Sequence, residues 1–432
     1  MQKRKVNVVT LGCSKNIVDS EYLMKQLEVD GWEVVFDSND PTAKVVVVNT
    51  CGFIGDAKEE SINTILSFVE AKRKGVIEKV FVMGCLSQRY RNELKDEIPE
   101  VDHFFGVNDL PLILSSLNAT YSDKLLNQRF ITTPTHYAYL KISEGCSWGC
   151  SYCAIPMIRG KHISKPIPEL IDEAKFLVKQ GVKELIVIAQ DSVFYGMDLY
   201  GERRLPQLID ELSMIDGVEW IRIHYAYPNG FPMQLAEIMQ NNPKVCKYLD
   251  IPFQHISDNV LSIMRRGITK HETLDFIEKL RAVVPDVALR TTLLVGHPGE
   301  SEADFQELLE FVKQTKFDRL GVFTYSEEEG THSATLDNNI PEEVKQSRAE
   351  QIMELQQEIS LNNNSLKIGK EFKIIIDREE DEFFVGRTEY DSPEVDQEVF
   401  ITHPSNSSIN LGDFVNCKIT SVSDYDLFGE LL

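Results

Sequence analysis

The stretch "EGCSWGCSYCAIP" (144–156) places cysteines at positions 146, 150 and 153, in C-x3-C-x2-C spacing. Thiolates are the normal ligands of iron–sulfur clusters, and three on one short loop can hold three irons of a cubane cluster. The fourth iron then stays open for a small molecule. The spacing therefore predicts that Cys146, Cys150 and Cys153 bind such a cluster, and a zinc knuckle with a remote fourth ligand is the alternative.

A second group of three cysteines is spread over the first 85 residues. Cys13, Cys51 and Cys85 each stand one or two residues beyond an apolar run, and the gaps of 38 and 34 residues are each about one βαβ unit. Three such thiolates also leave one coordination position open, which suits an iron–sulfur cluster with an accessible iron. The alternative is three unrelated core cysteines, because cysteine is often buried.

The elements around the second group predict a parallel sheet. Apolar runs at 5–12, 43–50 and 79–84 alternate with helical patterns such as "AKEESINTILSFVEAKRKG". Short apolar strands separated by helices are typical of a parallel sheet covered on both faces. Ligands of such sheets bind beyond the carboxyl ends of the strands, so we expect the three cysteines to converge there.

After a polar segment at 119–136, which is typical of a linker, the alternation of strand and helix resumes. Six strand candidates with helical patterns between most of them indicate a partial (βα)6 barrel. The candidates are 137–143, 184–190, 220–225, 248–254, 288–296 and 320–326.

The end of the chain changes character. A helical pattern begins at Pro341 and runs to the asparagine cluster at 362–364, where we expect a boundary. Short strand signals then follow, which favour a small antiparallel β-barrel. The fold class is therefore α/β multidomain, with predicted domains at 1–118, 132–363 and 365–432.

Composition is that of a soluble globular protein, with 42 % hydrophobic and 26 % charged residues. The basic start "MQKRKVNVVTLGC" has too short an apolar run for a signal peptide, and no stretch approaches a membrane span. We therefore expect a cytoplasmic protein, in which cysteines serve as metal ligands, catalytic thiols or core residues rather than disulfides. The formal net charge of −23 disfavours phosphate backbones as partners and favours basic ones.

These motifs resemble the radical S-adenosylmethionine (SAM) superfamily, in which "CSWGCSYC" is similar to the cluster loop at the head of a βα barrel. Three ordered cysteines upstream and a small terminal barrel narrow the resemblance to the methylthiotransferases. "LGCSKNIVDSE", "NTCGFI", "MGCLSQRY", "IPMIRGKHISKP", "DIPFQH" and "TLLVGHPGE" are similar to the RimO-type branch, which modifies small-subunit ribosomal protein S-twelve. The MiaB branch modifies tRNA, and typically has "GCQMN" where this chain has "GCSKN" at 12–16.

The resemblance implies a transferase with two 4Fe–4S clusters and SAM as cofactors. The cluster of the Cys146 loop would bind SAM at its open iron and reduce it to a deoxyadenosyl radical. The cluster of Cys13, Cys51 and Cys85 would carry the sulfur. The implied product is a methylthio group on the β-carbon of an aspartate. The resemblance identifies neither the electron donor nor the source of the sulfur.

Four further residues are predicted to contact SAM. Tyr152 lies between two predicted ligands, where the superfamily often has an aromatic residue against the adenine. Gln190 and Asp191 end the second barrel strand, and residues at the carboxyl ends of barrel strands tend to be functional. Arg290 begins the fifth strand and is predicted to hold the SAM carboxylate, with a surface arginine as the alternative.

The terminal domain resembles the TRAM module, which contacts RNA in tRNA-modifying relatives. Here residues 365–432 hold six Lys and Arg against fifteen Asp and Glu, a balance of −9. We therefore expect a basic ribosomal protein or an assembling ribosomal subunit as the partner, and neither tRNA nor a membrane. The alternatives are a tRNA methylthiotransferase with the same cysteines and a non-enzymatic iron–sulfur scaffold. Nothing in the sequence requires more than a monomer.

Overall fold

The computed structural model of the chain describes residues 4–337, 340–402 and 409–432. The remaining residues include 338–339 and 403–408, which belong to the second and third predicted domains and lie outside this description. Two compact units are formed by the chain. The first comprises the residues up to Thr133, Tyr139–Trp148 and Cys153–Leu177. The second comprises Pro134–Ala138, Gly149–Tyr152 and Val178–Leu432.

The N-terminal part of the first unit is a parallel sheet with helices on both faces. Its elements are β1 Lys5–Thr10, α1 Ser14–Val29, β2 Glu33–Phe36, β3 Val45–Thr50, α2 Gly55–Arg73, β4 Lys79–Gly84, α3 Cys85–Glu97, β5 His103–Phe104 and α4 Leu110–Ser116. The strand order is β2-β1-β3-β4-β5, and every adjacent pair is parallel. The predicted parallel sheet is therefore confirmed.

Two apolar clusters cover the faces of this sheet. Alternate residues of a strand point to opposite faces, so neighbouring valines of one strand enter different clusters. One cluster joins the sheet to α1 and α4, and the other joins it to α2 and α3, which makes the strands apolar on both sides. The first includes Val8, Val47, Phe81, Leu23 and Ile113, and the second includes Val48, Val82, Ile65 and Leu94.

The central part of the chain alternates strands and helices, as predicted. Its elements are β6 Tyr137–Lys141, β7 Ser143–Glu144, α5 Ile155–Arg159, β8 Ile163–Ser164, α6 Ile167–Lys179, β9 Glu184–Ile188, α7 Leu205–Ser213, β10 Trp220–Ile223, α8 Met233–Asn241, β11 Val245–Asp250, α9 Asp258–Ile263, α10 Lys270–Val283, β12 Ala288–Val295, α11 Glu302–Thr315 and β13 Arg319–Thr324. Six strands form one sheet in the chain order β6-β9-β10-β11-β12-β13. The four pairs from β9 to β13 are parallel. This is the partial barrel that the sequence predicts.

The last part of the second unit is a closed five-stranded barrel. It follows a long helix, α12 Glu342–Ser365, and contains β14 Glu371–Glu380, β15 Phe383–Thr388, β16 Val399–Thr402, β17 Phe414–Val422 and β18 Leu427–Leu431. The strand order around the barrel is β14-β15-β16-β18-β17. Four pairs are antiparallel and β16 pairs with β18 in parallel. An odd number of strands cannot alternate in direction around a closed ring, so the predicted antiparallel barrel has one parallel pair.

Helix α12 ends at Ser365, directly after the asparagine cluster where the sequence predicts the end of the helix. Asn364 is fully buried. Its side-chain amide donates to the carbonyl oxygens of Ser423 and Asp424, each at 3.2 Å. The polar cluster therefore joins the helix to the barrel, and this contact explains a helix that continues through residues with low helix propensity.

Among the described residues, no helix is both long enough and apolar enough to cross a membrane.

Candidate metal and cofactor sites

The structure brings Cys13, Cys51 and Cys85 to one edge of the N-terminal sheet. Cys13 immediately precedes α1, Cys51 follows β3, and Cys85 is the first residue of α3 after β4. The strands β1, β3 and β4 are neighbours, and Thr50 pairs with Gly84 in register. The carboxyl ends of parallel strands meet at the same edge, so the turns that carry the three thiols meet there as well.

The backbone before Cys13 runs directly against Cys51. Gly12 has a φ of +89°, and a Cβ at this position would lie 2.7 Å from Cβ and 3.0 Å from Sγ of Cys51. A side chain would therefore be excluded both by the left-handed backbone and by the neighbouring thiol. This glycine allows the first two cysteines of the group to approach each other.

The three thiols differ in exposure, and burial raises the pKa of two of them. Cys13 is exposed, Cys51 is half-buried and Cys85 is buried. Burial raises the pKa of Cys51, and the neighbouring Cys13 thiol adds to this effect. Burial raises the pKa of Cys85 to about 12, against the opposing charge of Arg159. The Cys51 and Cys85 thiols therefore hold their protons at neutral pH, and a bound metal would have to displace them.

Across residues 4–337, 340–402 and 409–432, no group of three His, Cys, Asp or Glu side chains is arranged around a single metal ion. A cubane cluster does not require that arrangement, because each thiolate binds a different iron. Three thiols at one sheet edge, with Cys13 open to solvent, are compatible with such a cluster.

Asn16 and Arg159 lie beside these thiols, and the sequence analysis assigned no role to either. The Asn16 amide nitrogen donates to the carbonyl oxygens of Leu11 (2.8 Å) and Thr50 (3.1 Å). Its carbonyl oxygen accepts from the Cys85 thiol at 3.8 Å and from the Arg159 guanidinium at 2.6 Å. One side chain thus contacts the segments of all three cysteines. The signal available in the sequence was an arginine six residues after Cys153, within a stretch that carried the family resemblance.

The loop of the other three cysteines connects β7 to α5. Cys146 and Cys153 belong to the first unit and Cys150 to the second. The Cys146 amide donates to the carbonyl oxygen of Gly160 at 3.0 Å, and β7 pairs with β8. Gly145 has a φ of +74°, and a Cβ there would lie 2.2 Å from the Lys161 carbonyl oxygen. The first cysteine of the loop is therefore held by backbone contacts that require glycine beside it.

In the second unit, Cys150 lies against an arginine and a tyrosine that the sequence analysis missed. Its Sγ is 3.7 Å from Nη1 of Arg266 and 3.9 Å from the hydroxyl of Tyr227. Arg266 also donates to the Tyr152 hydroxyl at 3.3 Å and lies 4.2 Å from the centre of the Tyr227 ring. Arg266 is buried, so Cys150 lies beside a positive charge that is withdrawn from water.

Ser151, which lies between Cys150 and Tyr152, is held in place by a chain of buried hydrogen bonds. The Ser333 amide donates to the Ser151 carbonyl oxygen at 2.8 Å, and the two hydroxyls are also 2.8 Å apart. His297 Nε2 is 2.8 Å from the Ser333 hydroxyl, and its ring is edge-on to Tyr152. His297 therefore supports the loop.

The residues predicted to contact SAM lie in different settings. Gln190 and Asp191 follow β9, and Asp191 is buried with its carboxylate accepting from the Val193 amide at 2.9 Å. Arg290 is the third residue of β12, and its guanidinium pairs with Asp250 (2.9 Å) and Asp396 (3.3 Å). These two carboxylates engage the charge of Arg290 near the amino end of its strand, so its contact with SAM stays a prediction without structural support.

The two cysteines outside both groups are packing residues. Cys246 is 1 % exposed, within an apolar cluster that includes Trp220 and Tyr248. Cys417 is fully buried in the apolar core of the terminal barrel.

Three family models match separate parts of the chain. Residues 5–106 match the uncharacterized protein family UPF0004, residues 140–312 match the radical SAM superfamily, and residues 368–432 match the TRAM domain. Among solved structures, the radical SAM methyltransferase TsrM from Kitasatospora setae is similar in fold, with a TM-score of 0.55 at 13 % identity and 75 % of each chain covered. The cobalamin-dependent SAM radical enzyme OxsB has a TM-score of 0.52 at 13 % identity, with 82 % of this chain and 56 % of that chain covered.

Curated relatives match the chain along its whole length. A protein of Flavobacterium johnsoniae named "Ribosomal protein uS12 methylthiotransferase RimO" is 54 % identical, and the match covers 100 % of this chain and 98 % of that protein. The protein of the same name in Bacteroides thetaiotaomicron is also 54 % identical, with 100 % and 99 % covered, and that of Cytophaga hutchinsonii is 51 % identical, with 100 % and 98 % covered. The chain therefore belongs to the RimO family of radical SAM methylthiotransferases.

Proposed function

We propose that this protein adds a methylthio group to the β-carbon of an aspartate in the small-subunit ribosomal protein for which its relatives are named. The observation that carries the proposal is the 54 % identity to those relatives over the full chain. Both groups of three cysteines lie within this alignment, and the central sheet has the strand order of a partial barrel.

The proposal assigns one 4Fe–4S cluster to Cys146, Cys150 and Cys153 and a second to Cys13, Cys51 and Cys85. When bound, the first would supply the electron that cleaves SAM and the second would carry the sulfur to be inserted. Convergence of the upstream thiols at one sheet edge supports the second cluster. Arg266 and Tyr227 would hold Cys150 in position, and their contacts with its sulfur support that role.

For SAM, we propose contacts from Tyr152, Gln190 and Asp191. The Tyr152 ring is held by the Arg266 guanidinium on its hydroxyl and by the edge of His297. Gln190 and Asp191 stand beyond the carboxyl end of β9, where barrels of this kind bind their ligands. Arg290 is a weaker candidate because Asp250 and Asp396 already pair with it.

A basic protein segment is the partner that the charges of the terminal barrel favour. The end of β14 and the turn after it expose four successive acids at 379–382. Of the basic residues, Arg378 pairs with Glu380 and Glu398, and Arg387 is buried against Glu184. Few cations of the described barrel therefore remain to contact a phosphate backbone, which favours the ribosomal protein over tRNA.

The proposal retains the three sequence domains at 1–118, 132–363 and 365–432, which the three family matches support. We further propose a monomer that works in the cytoplasm, where ribosomal proteins are made and where thiols stay reduced.

The test is an anaerobic competition between the two substrate classes. The reconstituted enzyme is given SAM, sulfide and a reductant, together with the ribosomal protein and unmodified tRNA. We expect mass spectrometry to show a methylthio gain on an aspartate of the protein. A Cys246→Ala variant serves as control, because Cys246 is a packing residue, and it should retain the activity that Cys150→Ala loses.

Two outcomes would contradict the proposal at different points. A gain on tRNA alone would overturn the substrate and leave the two clusters in place. Failure to cleave SAM by a protein that holds its iron would favour a non-enzymatic scaffold.

A further inference from the structure

Between the upstream thiols and the Cys146 loop, the first unit contains a compact group of two cations and two anions. Arg159 and Lys141 are the cations, and Asp19 and Glu144 are the anions. Arg159 Nη1 lies 2.9 Å from a Glu144 carboxylate oxygen and 3.2 Å from one of Asp19. Lys141 pairs with Asp19 and, at 2.8 Å, with Glu144. The Arg159 side chain is 2 % exposed, so its charge is withdrawn from water.

The orientation of the guanidinium is the informative feature. Both carboxylates lie on its Nη1 side, and Nη2 donates to the Asn16 carbonyl oxygen at 2.6 Å. That oxygen also accepts from the Cys85 thiol. The Nη2 side of the guanidinium has no carboxylate partner and therefore points toward the thiols. These thiols become negatively charged thiolates when they bind a metal.

Arg159 is also tied to the other group of cysteines. It ends α5, which begins two residues after Cys153, and its partner Glu144 is two residues before Cys146. The next residue, Gly160, accepts a hydrogen bond from the Cys146 amide at 3.0 Å. The Arg159 side chain thus contacts Asn16 beside the upstream thiols and Glu144 before the downstream loop, and its own helix follows the end of that loop.

We propose that Arg159 is a positioning residue for the cluster of Cys13, Cys51 and Cys85, and that its cation raises the midpoint potential of that cluster. This inference rests on the proposed function, which places a cluster there. A nearby positive charge favours the more negative, reduced state of a cluster, and burial leaves that effect little screened. Asp19 works against the cation, since its carboxylate lies on the far side of the same guanidinium.

The experiment uses the full chain with Cys146→Ala, Cys150→Ala and Cys153→Ala as background, so that iron binds at the upstream thiols alone. Iron and sulfide analysis after anaerobic reconstitution comes first, with about four irons per chain expected. A background protein without iron would overturn the proposed cluster, and this inference with it, before any Arg159 variant is made.

Redox titration followed by electron paramagnetic resonance then gives the midpoint potential. We expect a more negative potential in Arg159→Gln, a value nearer the background in Arg159→Lys, and a more positive potential in Asp19→Asn. A purely structural role would not move the potential in opposite directions with opposite changes of charge. The matched control is Arg91→Gln, because Arg91 also pairs with one aspartate, Asp109, and is 43 % exposed.

A cluster that forms in Arg159→Gln with the potential of the background would overturn the inference while the proposed cluster stands. If Arg159→Gln does not fold, Asp19→Asn decides the matter. An upward shift supports the electrostatic role, and an unchanged potential in that variant overturns it.

Discussion

His255 is a buried neutral histidine, and its environment makes the protein sensitive to acid. Its Nδ1 accepts a hydrogen bond from the Ser257 amide at 3.0 Å. Burial lowers the pKa of His255 to about 3, with His297 and Arg348 adding to the effect and Asp304 opposing it. The folded protein therefore keeps His255 neutral at pH values, below the ordinary pKa of histidine, at which the unfolded chain is protonated there.

Replacement of His255 by asparagine should flatten the dependence of stability on pH. A histidine whose pKa falls on folding costs stability as the pH drops below about 6.5, which amounts to about 2 kcal/mol at pH 5. The amide side chain of the variant could accept the Ser257 hydrogen bond without titrating. Urea unfolding at pH 7 and pH 5 measures the difference, and His271→Gln at an exposed position is the control. An equal loss of stability at pH 5 in His255→Asn and in the parent would contradict the assignment.

At the scale of residues, the sequence could predict those whose type and spacing indicate their chemistry. The six cysteines stand in patterns that few other functions require, and the structure brings Cys13, Cys51 and Cys85 together. Arg159 and Arg266 could not be predicted in the same way. An arginine looks the same in a sequence whether it is solvated or buried, and the side-chain partners of these two lie 15 to 143 residues away along the chain.

At the scale of elements, a buried ionic cluster fixes the terminal barrel to the amino ends of the central strands. Glu184, the first residue of β9, accepts from Arg222 of β10 at 2.8 Å and from Arg387 of β15 at 2.5 Å. Each side chain is at most 2 % exposed. Arg222 also donates to the Glu389 carbonyl oxygen at 2.7 Å. These contacts explain why strands of the central sheet carry charged residues at buried positions.

The change Glu184→Gln should destabilise the second unit strongly. It leaves two buried guanidiniums without their shared carboxylate, and removal of one member of a buried ionic group costs on the order of 3 kcal/mol. Denaturant unfolding gives the value. The matched control is Glu219→Gln, since Glu219 pairs with Lys373 and is 50 % exposed, so we expect less than about 1 kcal/mol there. Equal losses in the two variants would contradict the buried role of Glu184.

The long, apolar elements could be predicted, and the short ones could not. The strands β1, β3 and β4 are six residues long and have buried, mostly apolar centres, whereas β2 has four half-exposed or exposed residues and β5 has two residues. Such strands are held by their neighbours in the sheet more than by their own sequence. The end of α12 could be predicted from the asparagine cluster, but the contacts of Asn364 with the barrel could not, because its partners lie about 60 residues away along the chain.

At the scale of the whole molecule, the loop between β15 and β16 inserts acids and hydroxyls among residues of the central strands. Asp391 pairs with Arg319, and Asp396 pairs with Arg290 and accepts from the Tyr248 hydroxyl at 2.7 Å. Part of the acidic excess of the terminal barrel is therefore internal. The net charge of the terminal barrel therefore overestimates the negative charge that is available to bind a partner, because a net charge does not distinguish paired acids from solvated ones.

A chain that ends at Ser365 should not give a folded core. Removal of the barrel would take the Glu389 carbonyl from Arg222, Asp396 from Arg290 and Asp391 from Arg319, and we expect aggregation or a molten state. Size-exclusion chromatography and near-ultraviolet circular dichroism would show either. In the control, Glu379, Glu380, Asp381 and Glu382 are all replaced by glutamine in the full chain, which should stay folded because these side chains are exposed. A monomeric truncated protein with native dichroism would refute the expectation.

Strand β15 and the loop that follows it also impose an order on biosynthesis. Arg222 leaves the ribosome more than 150 residues before Glu184 can share its carboxylate with Arg387. Until the later residues are made, Arg290 and Arg319 of the nascent central sheet lack Asp396 and Asp391, so these ion pairs cannot form while the sheet itself is being synthesised. A stall or a slow stretch of translation before codon 390 would lengthen the time in which this half-finished sheet is open to chaperones and proteases.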